Sequence, residues 1–310
     1  MNSFEKEFRD SLKSNVGLVD KIMHYIIKRK GKQIRPIFVF LSAKLFGEIK
    51  EKTYTAASMI ELLHTATLIH DDVIDESYLR RGVFSINALW KNKIAVLVGD
   101  FLLSRGLLLS VKNHEFDLLK IMSSTVEKMS EGELLQMEKS RKININEEVY
   151  FEIIKKKTAS LIAACCASGA NSVNQNQKIV EQMRLFGENA GIAFQIKDDL
   201  FDYEKKMMTG KPVGLDIKEK KITLPLIHTL NNVDVKNKRK IINIIKNNSE
   251  EEEKVKEVIF LVNKYGGVEY AKKMMKKYHD KALTILQVFN DNEAKKSLVM
   301  LLDFIINRKK

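Results

Sequence analysis

Asp71, Asp72 and Asp75 lie in the stretch Ile60–Gly82, IELLHTATLIHDDVIDESYLRRG, with Arg80 and Arg81 close behind. On a helix, positions four apart share a face. Asp71 and Asp75 therefore project together, with Asp72 about 100° round the axis. Like charges at that spacing repel. A hard divalent cation such as magnesium would compensate them, because it takes oxygen ligands and is held by carboxylates together with substrate phosphates. The two arginines suit the phosphates themselves. A solvated acidic helix end gives the same local pattern, so one triad does not decide. A second triad, Asp198, Asp199 and Asp202, repeats the spacing at the end of Ile179–Tyr203, in FQIKDDLFDY.

Two acidic triads on separate buried helices can face each other across a cavity, each holding magnesium, with a diphosphate bridging them. Lysines and arginines would neutralise the remaining phosphate charge. The chain offers no Ser–His–Asp set, no evident nucleophile and no glycine-rich phosphate loop. One chemistry that needs such an arrangement is heterolysis of a carbon–oxygen bond with diphosphate as leaving group. An apolar cavity walled by Leu63, Thr67 and Leu68 would house a hydrocarbon and keep water from a carbocation.

These side chains need long helices. Phe4, Phe8, Leu12, Leu18, Ile22, Tyr25 and Ile26 recur at helical spacing and predict a helix over about residues 4–29. In KRKGKQIRP, Gly31 ends it and Pro36 fits the first turn of the next. Lys32 and Arg35 then sit at a helix start, where free N–H groups favour anions. Ile94–Val111 is apolar nearly all round and reads as a central buried helix. Residues 115–140 and 147–170 read as two more. The second carries Lys157 and Thr158 ahead of AACCASGA, a run suited to tight helix packing. The loop TGKPVGLDIKEKKITLP is the expected mobile segment, able to close over an anion. Beyond Thr223 the chain reads as lysine-rich amphipathic helix without a catalytic pattern.

Composition agrees with an all-α chain. There are 3 prolines in 310 residues, and none between Pro36 and Pro212. The net charge of +13 suggests a polyanionic partner, but only 10 of the 53 basic residues are arginine, and the lysines spread along helix faces. A nucleic-acid partner is not expected. Cys165 and Cys166 are adjacent on a predicted helix and read as small core residues of a reduced compartment. With no apolar N-terminal segment and no uninterrupted bilayer-length run, the expectation is a soluble, cytoplasmic protein of one domain, 1–310.

Taken together, GKQIRP, HDDVIDESYLRRG, VLVGDF, GELLQ, KT, FQIKDDLFDY and GKPVGLDI run in the order found in trans-type polyprenyl diphosphate synthases, and the chain resembles that family over roughly residues 28–228. The resemblance implies an all-α isoprenoid-synthase fold, a helical bundle around a deep central cavity, in a homodimer. It implies three magnesium ions, held directly or through water by Asp71, Asp72, Asp75, Asp198 and Asp202, with Asp199 and Lys157 also in the catalytic set. Arg80, Lys157, Thr158, Gln195, Lys211 and Lys221 would contact the allylic diphosphate. Lys32, Arg35, His64 and Arg81 would hold isopentenyl diphosphate. Membrane contact would be at most peripheral, for product release.

The family often has Gly where Lys91 and Lys220 stand, which bears on local loop shape. Product length is expected to depend on Ala66 and Thr67, which short-chain relatives replace by bulky residues. Both are small here, so the resemblance implies a long product, octaprenyl in the first instance, with the floor of the channel on the apolar helix around Leu102–Leu109. The alternatives are a short-chain farnesyl or geranylgeranyl synthase and a non-catalytic subunit of a heteromeric synthase. A terpene cyclase shares the first triad but usually lacks the second and the GKQIRP element.

Overall fold

The computed structural model describes residues 2–28, 31, 33–80, 82–142, 146–174, 176–203 and 214–308. Lys32, Arg81 and Lys211 lie outside the described residues, as does most of the first half of the loop expected to be mobile. Among the described residues the chain is all-α apart from one small hairpin, and it clusters into two compact units.

The first unit comprises Met1–Val126, Leu161–Arg184 and Asn292–Lys295. Its N-terminal periodic stretch is two helices, α1 (Asn2–Ser11) and α2 (Gly17–Lys28), where a single helix was expected. The break has a local cause: the Ser14 hydroxyl accepts the Val16 N–H at 3.2 Å, and this side-chain turn competes with the helical ladder. After Gln33, in the left-handed region, α3 (Ile34–Lys44) begins, with Arg35 in its first turn and Pro36 buried. Helix α4 (Glu51–Ile74) carries the first aspartates and is buried along most of its length. A two-stranded hairpin, β1 (Leu79–Arg80) and β2 (Val83–Phe84), connects it to α5 (Ile86–Lys112), which packs along α4.

Helix α5 departs from expectation. Ala95, Val98 and Leu102 are buried, but Val96, Leu97, Leu107, Leu108 and Val111 are exposed, Leu97 at 63%. The run is apolar because two faces are apolar, of which α4 covers one. By length and composition α5 is the one helix among the described residues able to cross a bilayer, although Asp100 and Arg105 interrupt it.

The second unit comprises Glu127–Ser160, Leu185–Asp291 and Lys296–Lys310. It takes most of α6 (Phe116–Lys142) and all of α7 (Glu147–Ile154), capped by Asn146, whose side chain accepts the Val149 N–H at 2.9 Å. The helix expected over 147–170 is interrupted by a π turn at Lys155–Ala159 before α8 (Ser160–Val173). Helix α9 (Gln177–Leu200) carries the second aspartates into a turn over residues 201–203. Then come the short α10 (Leu215–Lys218), α11 (Leu224–Asn232) with Pro225 in its first turn, α12 (Val235–Asn247), α13 (Glu252–Lys264), α14 (Gly267–Gln287) and α15 (Glu293–Asn307). The lysine-rich amphipathic reading of this C-terminal part is borne out. Tyr150, Ile154, Ile192, Ile196, Leu226, Ile241 and Val258 are among the buried residues of this unit's core. Cys165 and Cys166 are buried and unbridged, and burial pushes both thiols up, Cys166 to about 12.

Candidate active site

The first motif sits where α4 ends. Asp71 is half-buried, Asp72 buried, and Asp75 exposed as the residue that closes the helix, its N–H bonded to the Asp71 carbonyl at 2.8 Å. The hairpin pins this end. The Asp72 carbonyl accepts the Ser77 N–H at 2.9 Å and the Asn87 side-chain amide at 3.1 Å, and the Ser85 hydroxyl donates to the Ser77 carbonyl at 2.7 Å. From β1, Arg80 Nε donates to Asp72 Oδ1 at 2.7 Å. Burial pushes the Asp72 carboxyl up, and Arg80 opposes this. On the same helix, His64 and Ala66 are buried, while Thr67 is half-buried with its hydroxyl on the His64 carbonyl at 3.0 Å. The residues expected to line a channel thus occupy one stretch of α4, with Ala66 wholly enclosed.

The second motif is a hydrogen-bonded chain that begins on the π turn. Thr158 Oγ1 donates to Gln195 Oε1 at 2.7 Å, Gln195 Nε2 donates to Asp199 Oδ1 at 2.8 Å, and the buried Tyr150 hydroxyl donates to Asp199 Oδ2 at 2.6 Å. Two glycines let neighbouring helices close on the π turn. A methyl group on Gly132 would lie 2.7 Å from the Lys157 nitrogen, and one on Gly191 would lie 2.5 Å from the Ala159 Cα. Such bulges recur at functional sites because they re-aim side chains. Here the turn carries Lys157 towards α6, where it pairs with Glu133 and donates to Gln136 at 3.2 Å.

Asp202 follows in the turn after α9. Its carboxylate oxygens accept the Leu215 and Asp216 N–H groups at 2.8 and 3.0 Å, tying the motif to α10. Asp216 joins the cluster. Burial pushes it up to about 8, with repulsion from Asp199 and Asp202 adding and Lys221 opposing. Asp199 is likewise pushed up to about 7, by burial first, against the bonds from Tyr150 and Gln195. The Lys221 ammonium pairs with Glu219 at 2.6 Å. Asp198 accepts Nη2 of Arg308 at 2.6 Å.

Sequence reasoning missed Tyr150, Asp216 and Arg308. Tyr150 stands seven residues before Lys157, a helical same-face spacing that could have suggested it. Asp216 lay in GLDI, within the segment read as loop. Arg308 had no local signal: it lies in the stretch beyond Thr223, where the sequence shows no catalytic pattern, and it contacts Asp198.

Among the described residues, no three acidic, histidine or cysteine side chains converge in ligand geometry. The chemistry of the donors nonetheless fits a magnesium-like ion. Asp198, Asp199, Asp202 and Asp216 all offer carboxylate oxygens, and the rise of Asp199 and Asp216 to about 7 and 8 shows that burial and mutual repulsion make their charged forms costly without a cation. Hard cations with oxygen ligands answer that need, and soft metals do not.

Residues 16–262 match the polyprenyl synthetase family model. The chain is 34% identical to the octaprenyl diphosphate synthase of Escherichia coli, covering 96% of this chain and 93% of that protein. It is also 34% identical to the short chain isoprenyl diphosphate synthase of Methanothermobacter thermautotrophicus, over 92% of this chain and 88% of the relative. The polyprenyl synthase of Caulobacter crescentus, solved with calcium and isoprenyl diphosphate, superposes with a TM-score of 0.92 at 33% identity, covering 100% of this chain and 95% of that one. With two aspartate motifs on α4 and α9 of an isoprenoid-synthase fold, the chain belongs to the polyprenyl synthetase family and is a prenyltransferase, a trans-polyprenyl diphosphate synthase.

Proposed function

We propose that the protein condenses isopentenyl diphosphate head-to-tail with an allylic diphosphate, in a magnesium-dependent reaction, to give a long all-trans product, octaprenyl in the first instance. Residues 1–310 would act as one catalytic domain. The observation that supports the metal dependence is the second motif, where burial first, and then mutual repulsion, pushes the Asp199 and Asp216 carboxyls up to about 7 and about 8 beside Asp202. Asp71, Asp72, Asp75, Asp198 and Asp202 would hold magnesium, which when bound neutralises charge on the departing diphosphate.

Arg80, Lys157, Thr158, Gln195, Lys211 and Lys221 bind and orient the allylic diphosphate in this account. Lys32, Arg35, His64 and Arg81 hold isopentenyl diphosphate. The allylic carbon–oxygen bond breaks and its electron pair leaves with diphosphate. The isopentenyl double bond then attacks the allylic cation, forming the new carbon–carbon bond. A proton is lost from the isopentenyl unit to the released diphosphate, which restores a double bond. The Thr158–Gln195–Asp199–Tyr150 chain keeps the binding groups oriented through these steps.

The exposed apolar face of α5 supports a homodimer in which a second copy covers Leu97, Leu108 and Val111. Small residues at Ala66 and Thr67 support the long product. Relatives of similar identity span short-chain and octaprenyl synthases, so similarity alone does not fix length. The test is incubation with labelled isopentenyl diphosphate and several allylic primers, followed by chain-length analysis, for wild type, Thr67→Phe and Ala66→Phe. Wild type should give hexaprenyl to decaprenyl products, and each added ring should shorten them. Thr67 lies four residues before Asp71, almost in line with it, and Ala66 is about 140° away, so Thr67→Phe should shorten more. A short wild-type product would defeat the long-chain assignment.

A further inference from the structure

Just beyond α15, the Arg308 guanidinium sits in a slot made for a cation. Nη2 donates to Asp198 Oδ1 at 2.6 Å and to the Phe194 carbonyl at 3.4 Å, while the group lies 4.0 Å over the Phe194 ring and 5.5 Å from the Phe201 ring. Its side chain is 18% exposed and that of Asp198 is 37% exposed. The slot contains a carboxylate, a carbonyl and two aromatic faces, each of which attracts positive charge. Arg308 also has a second perch: Nε donates to the Ile305 carbonyl at 3.2 Å, at the helix C-terminus where a cation is favoured.

We propose that Arg308 is a positioning residue that occupies the first aspartate of the second motif before substrate arrives and competes with the metal ion for it. The proposal rests on Asp198 being a metal-binding carboxylate. One carboxylate oxygen cannot serve a guanidinium at 2.6 Å and a divalent ion in the same place without repulsion between the two cations. Metal binding at Asp198 is therefore weakened for as long as Arg308 holds this oxygen. The diphosphate that arrives with the metal offers the guanidinium another anionic partner and so favours its withdrawal, whereas a bare metal ion offers it none. Metal loading of the second motif is thereby made conditional on the allylic diphosphate, and bare metal does not draw this carboxylate into a dead-end geometry. The withdrawn guanidinium stays within reach through its hold on the end of α15.

The test measures manganese binding by paramagnetic resonance, since manganese accepts the same carboxylate ligands. Wild type, Arg308→Gln, Arg308→Lys and Asp198→Asn are compared with and without inorganic diphosphate. Without diphosphate, Arg308→Gln should bind manganese about three- to tenfold more tightly than wild type, the range expected when a part-exposed ion pair and a cation–π contact are lost. Arg308→Lys should fall between them. With diphosphate saturating, the difference should shrink. A gain of affinity is not something that mere loosening of the fold produces. Unchanged or weaker manganese binding in Arg308→Gln, with Asp198→Asn still impaired, overturns the competition while leaving the prenyltransferase reading intact. Wild-type binding in Asp198→Asn, with diphosphate present, overturns both the competition and the metal role of Asp198.

Discussion

Asp199 and Asp216 hold carboxyl groups pushed up to about 7 and about 8, against an unfolded value near 3.9. Each folded carboxyl keeps its proton to a higher pH than the unfolded one, so folding loses stability as pH rises from about 4 through 7 to 8. In metal-free protein, Asp216→Asn should therefore be neutral near pH 4 and stabilising near pH 9, by at least about 1 kcal/mol. Denaturant midpoints across that range check this, and an equal effect at both ends would contradict it. Magnesium with diphosphate should restore wild-type stability at high pH and help the variant less. A second prediction concerns Arg35 in the first turn of α3: Arg35→Ala should mainly raise the KM for isopentenyl diphosphate. Steady-state kinetics in which only the allylic substrate is affected would reverse the assignment. Both triads were legible because their spacing is local and helical. Tyr150 and Asp216 were not, because what gives them meaning is burial beside Asp199, and burial is a property of the packed chain.

The π turn is the element whose shape matters most for the binding groups. Gly191→Ala puts a methyl group 2.5 Å from the Ala159 Cα, which must push α9 or the turn aside. Overpacking of this kind costs about 1–3 kcal/mol, and the shift should also misalign Thr158 and Gln195. A lowered unfolding midpoint together with a raised KM for the allylic diphosphate is the expected result; a change in neither would show that the turn tolerates a side chain. Two other positions carry the opposite prediction. Lys91 has φ 71° and ψ 160°, and Lys220 has φ 58°. These are the two places where the resemblance led to an expectation of glycine, and both adopt backbone conformations that suit it. Relief of about 1–3 kcal/mol of strain, less the entropy glycine costs, should make Lys91→Gly about 1 kcal/mol more stable, measurable by denaturant titration. Helix existence was legible from periodicity. The Ser14 break and the π insertion were not, since a single side-chain bond and one extra residue leave the apolar spacing almost unchanged.

At the scale of the whole molecule, the apolar run of α5 was read as a buried core helix, yet Val96, Leu97, Leu107, Leu108 and Val111 are exposed in the single chain. Periodicity reports that a face is apolar and not which molecule covers it. Leu97→Glu, at a position 63% exposed, should leave the fold intact and shift sedimentation from dimer to monomer. A monomeric wild type would remove the basis for that assignment. The central proposal is that magnesium-dependent condensation requires both aspartate motifs, the one on α4 and the one at the end of α9. Its most direct measurement is the rate of condensation of labelled isopentenyl diphosphate with an allylic primer by wild type, Asp71→Ala and Asp198→Ala, with magnesium and with chelator. Each variant, verified as folded, should lose at least ~10²-fold in rate, and chelation should abolish turnover in wild type. Near-normal turnover in either variant, or activity that survives chelation, would contradict the account.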